Sequence, residues 1–292
     1  MGEGNSLINL GDLSKPAAVL IEKVSDAVGG IAKPWQIQRV AKAEAKAEII
    51  RAQGRLEISE LEERALLRMV REEGLRQENI ENVTARAIPL LTDGSQPEAI
   101  DNDWLAHFFD RARLISNEEM QALWSSILAG QANEPRSFTK RTIDLVATLD
   151  KFDAELFSAL CKFCWQTPQT IPFIFDVESP IYKDAGLNFT YLTHLDSIGL
   201  IRFENVSGFV RRKIPKVTSF LYFGKPIFVE FSNDENALEI GNVLLTQAGQ
   251  ELYSVCKSTP LATFLDYTLK RLMDEGVITS SSVIHKSLYQ AW

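Results

Sequence analysis

Residues 41–74 read AKAEAKAEIIRAQGRLEISELEERALLRMVREEG, and this stretch decides the fold that the sequence predicts. It is rich in Ala, Glu, Lys, Arg and Leu, the residues with the highest helix propensities. Acidic and basic residues alternate around a thin apolar stripe, which is typical of a helix that contacts one partner helix and is otherwise solvated. We therefore expect residues 35–91 to contain a long helix that mediates self-association. The expected contact residues are Ala43, Ala47, Ile50, Gly54, Ile58 and Leu61.

Residues 1–34 form a separate segment with a different pattern. Pro16 suits the first position of a helix, and Gly29-Gly30 suits its end. Apolar residues recur at spacings of three and four between these limits, so they share one helix face. Two interpretations stay open: the face docks on the rest of the protein or on a second subunit, or it binds a membrane surface beside an aromatic anchor. The residues that would face lipid in the second interpretation are Leu20, Ile21, Val24, Val28 and Trp35.

The remainder of the chain divides at turn-forming sequences. Residues 92–101 end the long helix, and residues 102–149 contain three helical blocks that predict a small helical bundle. In residues 150–292, helices alternate with short strands, and Gly199 supplies a left-handed turn between a helix and a strand. A hairpin follows, as in a winged helix. The sequence thus predicts a mainly α fold with an α+β C-terminal part: long N-terminal helices, a small helical bundle, then a winged-helix-like domain.

Composition and motifs favour a non-catalytic protein. Hydrophobic residues make up 45% of the chain and charged residues 24%, as in a globular protein. The chain carries three cysteines, an odd number that argues against a disulfide framework and favours a reducing cytosol. Cys161 and Cys164 fall in a predicted helix, so we interpret them as buried thiols rather than zinc ligands. No Walker loop, HExxH or G-x-S-x-G motif occurs. We expect no enzyme activity, no cofactor and no metal site.

The predicted C-terminal hairpin contains the strongest candidate for contacts with a partner. Phe209, Arg211, Arg212 and Lys213 lie there, and basic residues on a hairpin could contact phosphates. The preceding helix, residues 189–198, contains no Arg or Lys, although helices that read the major groove usually carry such residues. The net charge of −8 also argues against non-specific binding of nucleic acid. We therefore expect these four residues to bind a protein partner.

Three consecutive motifs resemble a known family. They are Trp-Leu-Ala-His-Phe-Phe at 104–109, Ser-Asn-Glu-Glu-Met-Gln-Ala-Leu-Trp at 116–124 and Phe-Thr-Lys-Arg-Thr-Ile-Asp-Leu-Val at 138–146. Together with Leu245-Thr246-x-x-Gly249, they make the chain similar to a bacterial family recorded as a domain of unknown function. The layout of the chain is also similar to that of the Abi-alpha abortive-infection family. This resemblance implies a role in anti-phage defence.

These observations lead to one hypothesis and two alternatives. The hypothesis is a cytoplasmic bacterial protein that senses a phage component, forms a homo-oligomer and disrupts the inner membrane through its N-terminal amphipathic helix. Its partners would be further copies of itself, a phage protein and, on activation, the inner membrane. The alternatives are a winged-helix DNA-binding regulator and a non-toxic structural adaptor.

Overall fold

The computed structural model describes residues 13–28 and 60–282. The chain forms two compact units, residues 1–147 and residues 148–292.

The described part of the N-terminal unit is helical. Its helices are α1 (Lys15–Val28), α2 (Glu60–Ala87), α3 (Asn102–Ala112), α4 (Glu118–Asn133) and α5 (Lys140–Val146). Helix α2 lies against α4, while α3 contacts both α1 and α5. Because α3 contacts helices on more than one side, α3 is the central helix of the described bundle.

Aromatic side chains form the core of this bundle. Trp104 and Phe108 of α3 stack with their ring centroids 5.1 Å apart, and Trp124 of α4 meets Phe108 edge to face at 5.0 Å. The bundle therefore depends on the apolar faces that the sequence predicts for these helices.

Short polar side chains cap the N-termini of three helices of the bundle. Asp101 caps α3, Asn117 caps α4 and Thr139 caps α5, each accepting a hydrogen bond from a backbone N–H of the first turn. Such caps satisfy N–H groups that have no partner within the helix. They fix the starts of the three helices that follow α2.

A buried polar network ties α2 to the turn between α3 and α4. The Asn79 amide nitrogen donates to the Arg113 carbonyl oxygen at 2.9 Å and to the Ser116 hydroxyl at 3.3 Å. The Gln121 amide nitrogen donates to Asn79 Oδ1 at 3.0 Å and to the Ile115 carbonyl oxygen at 2.8 Å. Because buried amides are costly without partners, this network fixes the position of α2 along the bundle.

The C-terminal unit combines helices with an antiparallel sheet. Its helices are α6 (Lys151–Cys161), α7 (Pro180–Lys183), α8 (Phe189–Ser197), α9 (Gln247–Tyr253) and α10 (Ala262–Asp274). Its strands are β1 (Cys164–Gln166), β2 (Thr170–Pro172), β3 (Ile201–Phe203), β4 (Phe209–Tyr222), β5 (Lys225–Gly241), β6 (Val243–Leu245) and β7 (Ile278–Ser281). Five strands form one sheet in the order β2-β1-β4-β5-β7, and β3 pairs with β6 in a second sheet.

The prediction of a mainly α fold with a limited α+β part is wrong. The five-stranded antiparallel sheet is built on β4 and β5, which are 14 and 17 residues long. The sequence predicts only short strands in this part of the chain. Charged residues such as Arg212 and Glu235 interrupt the apolar pattern where the hairpin is exposed, so the strand signal is lost there. The helix, glycine turn and strand predicted around Gly199 are present as α8 and β3, with φ of 82° at that glycine.

Two glycines allow the second sheet to approach the rest of its unit closely. A Cβ at Gly241, whose φ is 93°, would lie 2.0 Å from the Ile174 carbonyl oxygen. That oxygen accepts a 2.7 Å hydrogen bond from the Asn242 N–H. A Cβ at Gly249 would lie 2.2 Å from the Leu200 carbonyl oxygen. Side chains at either position would separate elements that hold β3 and β6 in place.

Candidate interaction surfaces

The apolar face of α1 is covered by its own unit. Ala17, Leu20 and Val24 are buried, and α1 contacts α3 and the turn at residues 97–99. Ile21 and Val28 are half-buried. Trp35, the proposed aromatic anchor, lies outside the described residues. In this conformation Leu20 and Val24 are unavailable to lipid, so binding a membrane through them requires α1 to detach.

One lysine adds a polar clamp to the docked α1. The Lys23 ammonium donates to the Ile100 carbonyl oxygen at 2.9 Å and to Asn102 Oδ1 at 2.8 Å. Both acceptors belong to the start of α3, where Asn102 is the first helical residue. The clamp therefore fixes where α1 sits along α3.

The apolar contact that holds α1 is modest. Complete burial of one Leu or Val side chain contributes about 1.5–3 kcal/mol, so Leu20 and Val24 together contribute about 3–6 kcal/mol. Conformational entropy lost by the docked helix opposes this contribution. The docked state of α1 is therefore favoured over the detached state by only a few kcal/mol. A protein partner or a lipid surface that binds the detached helix with ordinary affinity could shift this equilibrium toward detachment.

The two halves of α2 have different surroundings. In the C-terminal half, Ile80, Val83 and Ala87 are buried in the bundle. Between residues 61 and 75, large apolar side chains are exposed: Leu61 at 69%, Leu67 at 53%, Met69 at 60%, Val70 at 39% and Leu75 at 54%. We call these five residues the α2 stripe, although at 3.6 residues per turn they are distributed around the helix and do not share one face. Of the residues predicted to mediate self-association, Leu61 belongs to the stripe, and Ala43, Ala47, Ile50, Gly54 and Ile58 lie outside the described part of the chain.

Charged pairs accompany the α2 stripe. Arg68 lies 3.5 Å from Glu72, and Arg76 lies 3.2 Å from Glu73. These pairs are exposed, so each contributes little to stability. Such spacing of opposite charges beside apolar residues is typical of helices that associate with other helices.

The residues predicted to bind a partner lie at the start of the long hairpin. Phe209 is half-buried, whereas Arg212 and Lys213 are exposed. The Arg211 guanidinium donates a 2.7 Å hydrogen bond to the Thr167 hydroxyl. Lys213 has a φ of 58° and lies at an irregularity in the pairing of β4 with β5. The four residues thus share one end of β4 without forming a uniform basic surface.

Acidic residues of β5 counter the charge of this region. Glu235 is paired with Pro215 across the hairpin, and Glu239 is paired with Val210. The Lys216 ammonium lies 3.8 Å from a carboxylate oxygen of Glu230. These carboxylates reduce the net positive charge of the hairpin, and phosphate binding depends on such charge.

One contact that the sequence analysis missed joins α6 to α8. A ring nitrogen of His194 lies 2.6 Å from Asp153 Oδ1, and Asp153 is buried while His194 is more exposed. The other carboxylate oxygen of Asp153 accepts from the Asp150 N–H in a capping box. The Asp-x-x-Asp spacing could have revealed the capping box, but no local signal links Asp153 to His194. The carboxylate orients the imidazole and fastens the two helices together.

The part of the chain that the structure describes contains neither a metal-binding cluster nor a membrane-spanning helix. Within residues 13–28 and 60–282, no three His, Cys, Asp or Glu side chains are arranged to hold a metal ion. Among the helices that the structure describes, none has the length and apolar character needed to span a bilayer.

The chain matches the model of a family described as a protein of unknown function, DUF2806, over residues 63–269. No curated protein and no solved structure matches the chain. The resemblance to an uncharacterised family is thus confirmed, and the similarity to the Abi-alpha family is not shown. Since the match spans most of the 292 residues, the chain belongs to the DUF2806 family.

Proposed function

We propose that this chain is a bacterial anti-phage protein of the abortive-infection type, which senses a phage component, oligomerises and disrupts the inner membrane through its N-terminal helix. The observation that carries the proposal is the α2 stripe, because five large apolar side chains exposed within residues 61–75 favour contact with another protein surface. A second copy of the chain supplies a matching surface. The defence role rests on the resemblance in layout to Abi-alpha proteins that we infer from the sequence.

The proposed mechanism starts with α1 docked and the protein in the cytoplasm. Activation detaches α1 and exposes Leu20 and Val24, which join Ile21 and Val28 on one apolar face. A single such face binds lipid weakly, since binding strength follows the buried apolar area. Self-association through α2 and the predicted contacts at 43–58 collects many α1 helices, and multivalency then strengthens membrane binding.

The proposed sensor is the start of the long hairpin. Arg212 and Lys213 are exposed there beside Phe209, so a partner could combine polar and aromatic contacts. A phage protein with an acidic surface would complement this site. The mechanism needs no catalytic step.

The size of the protein in solution tests self-association. Replacement of Leu67 and Leu75 by Glu places charges on the α2 stripe, and the double variant should have a lower mass by light scattering than the unmodified protein. Both residues are exposed, so folding should persist, which circular dichroism can verify. Val206→Glu is a matched control, because Val206 is 98% exposed outside α2. An equal mass for the double variant and the unmodified protein would contradict association through the stripe.

Membrane disruption is tested with liposomes that contain anionic lipid and a trapped dye. Purified oligomer should release the dye, and cells that express the protein should stop growing on phage infection. Oligomers that neither release dye nor arrest growth would favour the structural adaptor. Salt-sensitive binding to duplex DNA in a gel shift would favour the DNA-binding regulator.

A further inference from the structure

All three cysteines of the chain meet in the C-terminal unit. Cys161 is the last residue of α6, Cys164 begins β1, and Cys256 follows α9. The Cys256 thiol lies 3.4 Å from the Ser158 hydroxyl, and Ser158 precedes Cys161 by about one turn of α6. The side chain of Cys161 lies close enough to both other thiols to interact with them electrostatically. Cys161 and Cys256 are therefore adjacent although 94 residues separate them in the chain.

A second contact holds the segment after Cys256 near the end of α6. The Tyr222 hydroxyl donates to the Lys162 carbonyl oxygen at 2.9 Å. The same hydroxyl accepts from the Leu261 N–H at 2.8 Å. Because Lys162 follows Cys161 directly, the two thiols are kept close by contacts that do not involve sulfur.

The three thiols differ in access and in acidity. Cys161 and Cys164 are buried, whereas Cys256 is partly exposed. Burial raises the pKa of Cys161 well above its usual value. Polar interactions with Cys161, and also with Ser158 and Ser258, lower the pKa of Cys256 to about 7, against the opposing effect of burial. A partly exposed thiolate is the form of cysteine that reacts with oxidants.

We propose that Cys256 is a site of oxidation by hydrogen peroxide and that Cys161 resolves it to an intramolecular disulfide. In the first step the Cys256 thiolate attacks one oxygen of the peroxide. The O–O bond breaks, Cys256 becomes a sulfenic acid, and the hydroxide that leaves takes up a proton to form water. In the second step the Cys161 thiol attacks the Cys256 sulfur and loses its proton, and a second water leaves as the S–S bond forms. Two electrons pass from the sulfurs to the peroxide.

Cys164 is not the partner in this reaction. Its side chain is buried and directs the sulfur to the Leu160 carbonyl oxygen at 3.8 Å. In a reducing cytosol the Cys161–Cys256 pair stays as free thiols, and the disulfide is a transient response to peroxide. The bond would join the end of α6 to the segment after α9.

Peptide mapping of the full-length protein tests the site. Trypsin cleaves after Lys162, which separates Cys161 from Cys164, so each disulfide gives a distinct peptide pair. After treatment with hydrogen peroxide, the peptides of Cys161 and Cys256 should be linked within one chain, and dithiothreitol should release them. A link to Cys164, a link between two chains, or an unmodified Cys256 would overturn the proposal.

Three variants separate the steps. Cys161→Ser should accumulate the sulfenic acid on Cys256, so labelling of Cys256 by dimedone should rise several-fold over the unmodified protein. Cys256→Ser should show neither labelling nor a disulfide, and Cys164→Ser is the matched control that should still form the Cys161–Cys256 bond. If Cys161→Ser does not fold, the mapping of the unmodified protein still decides. Dimedone labelling of Cys161→Ser no greater than that of the unmodified protein would refute the role of Cys161.

Discussion

Removal of the Lys23 clamp should detach α1 while leaving its apolar face intact. In Lys23→Ala the helix loses two hydrogen bonds, to the Ile100 carbonyl oxygen and to Asn102 Oδ1. Hydrogen bonds that involve a charged group contribute about 1.5–3 kcal/mol. Lys23 is half-buried and its contact with Asn102 is exposed, so we reduce the expected loss to about 1–2 kcal/mol because water competes for both partners. The detached fraction of α1 should then rise roughly 5–30-fold.

Hydrogen exchange of the α1 amides measures this change. The exchange of residues 18–28 should accelerate by the same factor, while the amides of α4 keep their rates. Asn102→Ala removes one acceptor without altering α1 and should produce a smaller acceleration. Lys15→Ala, at an exposed position of the same helix, is the control and should change nothing. Unchanged exchange in Lys23→Ala would refute the clamp, and equal acceleration in α4 would show that α1 opens only with the whole unit.

Three further predictions follow from the structure. The double variant Leu20→Asp, Val24→Asp should have a detached α1, because buried charges are costly. It should nevertheless release no dye from liposomes, because the apolar face is lost. Dye release equal to that of the unmodified protein would exclude this face as the membrane contact. Gly241→Ala should lower the free energy of unfolding of the C-terminal unit by about 2–6 kcal/mol, because of backbone strain and close contact. Gly224→Ala is the control: its φ is 75° but nothing lies near its Cβ, so the free energy of unfolding should fall by about 1–3 kcal/mol. Thermal denaturation measures both changes. The rate of alkylation of Cys256 by iodoacetamide should rise with pH, with a midpoint at about pH 7. Only the thiolate reacts, and the pKa of Cys256 is lowered to about 7. A midpoint near the ordinary cysteine pKa would contradict the polar interactions around Cys256.

The helices could be predicted because their signals are local. The apolar spacing of α1 and the helical blocks at 102–149 depend on residues within a few turns of one another, and α1 and α3–α5 follow that spacing. The exact start of a helix is harder to predict. Ser116 and Asn117 are both suitable caps by residue type, and the structure has Asn117 as the cap of α4.

The long hairpin could not be predicted because both of its faces are partly exposed. A strand is recognised by alternation of buried apolar and exposed polar residues. In β4, Arg212 and Lys213 are consecutive exposed residues, and the pairing with β5 is irregular around them. The alternation of apolar and polar residues is therefore interrupted at positions where the two strands continue. As a result, the sequence pattern predicts several short strands instead of one long hairpin.

The surfaces around the candidate sites depend on contacts between distant residues. The apolar spacing of α1 shows that one face needs cover, but it does not show that α3 provides it. Lys23 meets Ile100 across 77 residues of sequence. His194 meets Asp153 across 41 residues, and Cys256 meets Ser158 across 98 residues. Single-sequence patterns carry no information over such separations.

The continuity of α2 has a mechanical consequence. Its 28 residues form one uninterrupted helix of about 42 Å, so the exposed half and the buried half behave as one stiff lever. A displacement of α2 by a protein bound at Leu67 or Leu75 would also move Asn79 and Val83. Asn79 is hydrogen-bonded to the loop at the end of α3, so that loop would be displaced as well. We therefore expect a protein that binds at the outer end of α2 to affect the position of α1 on α3 through these contacts.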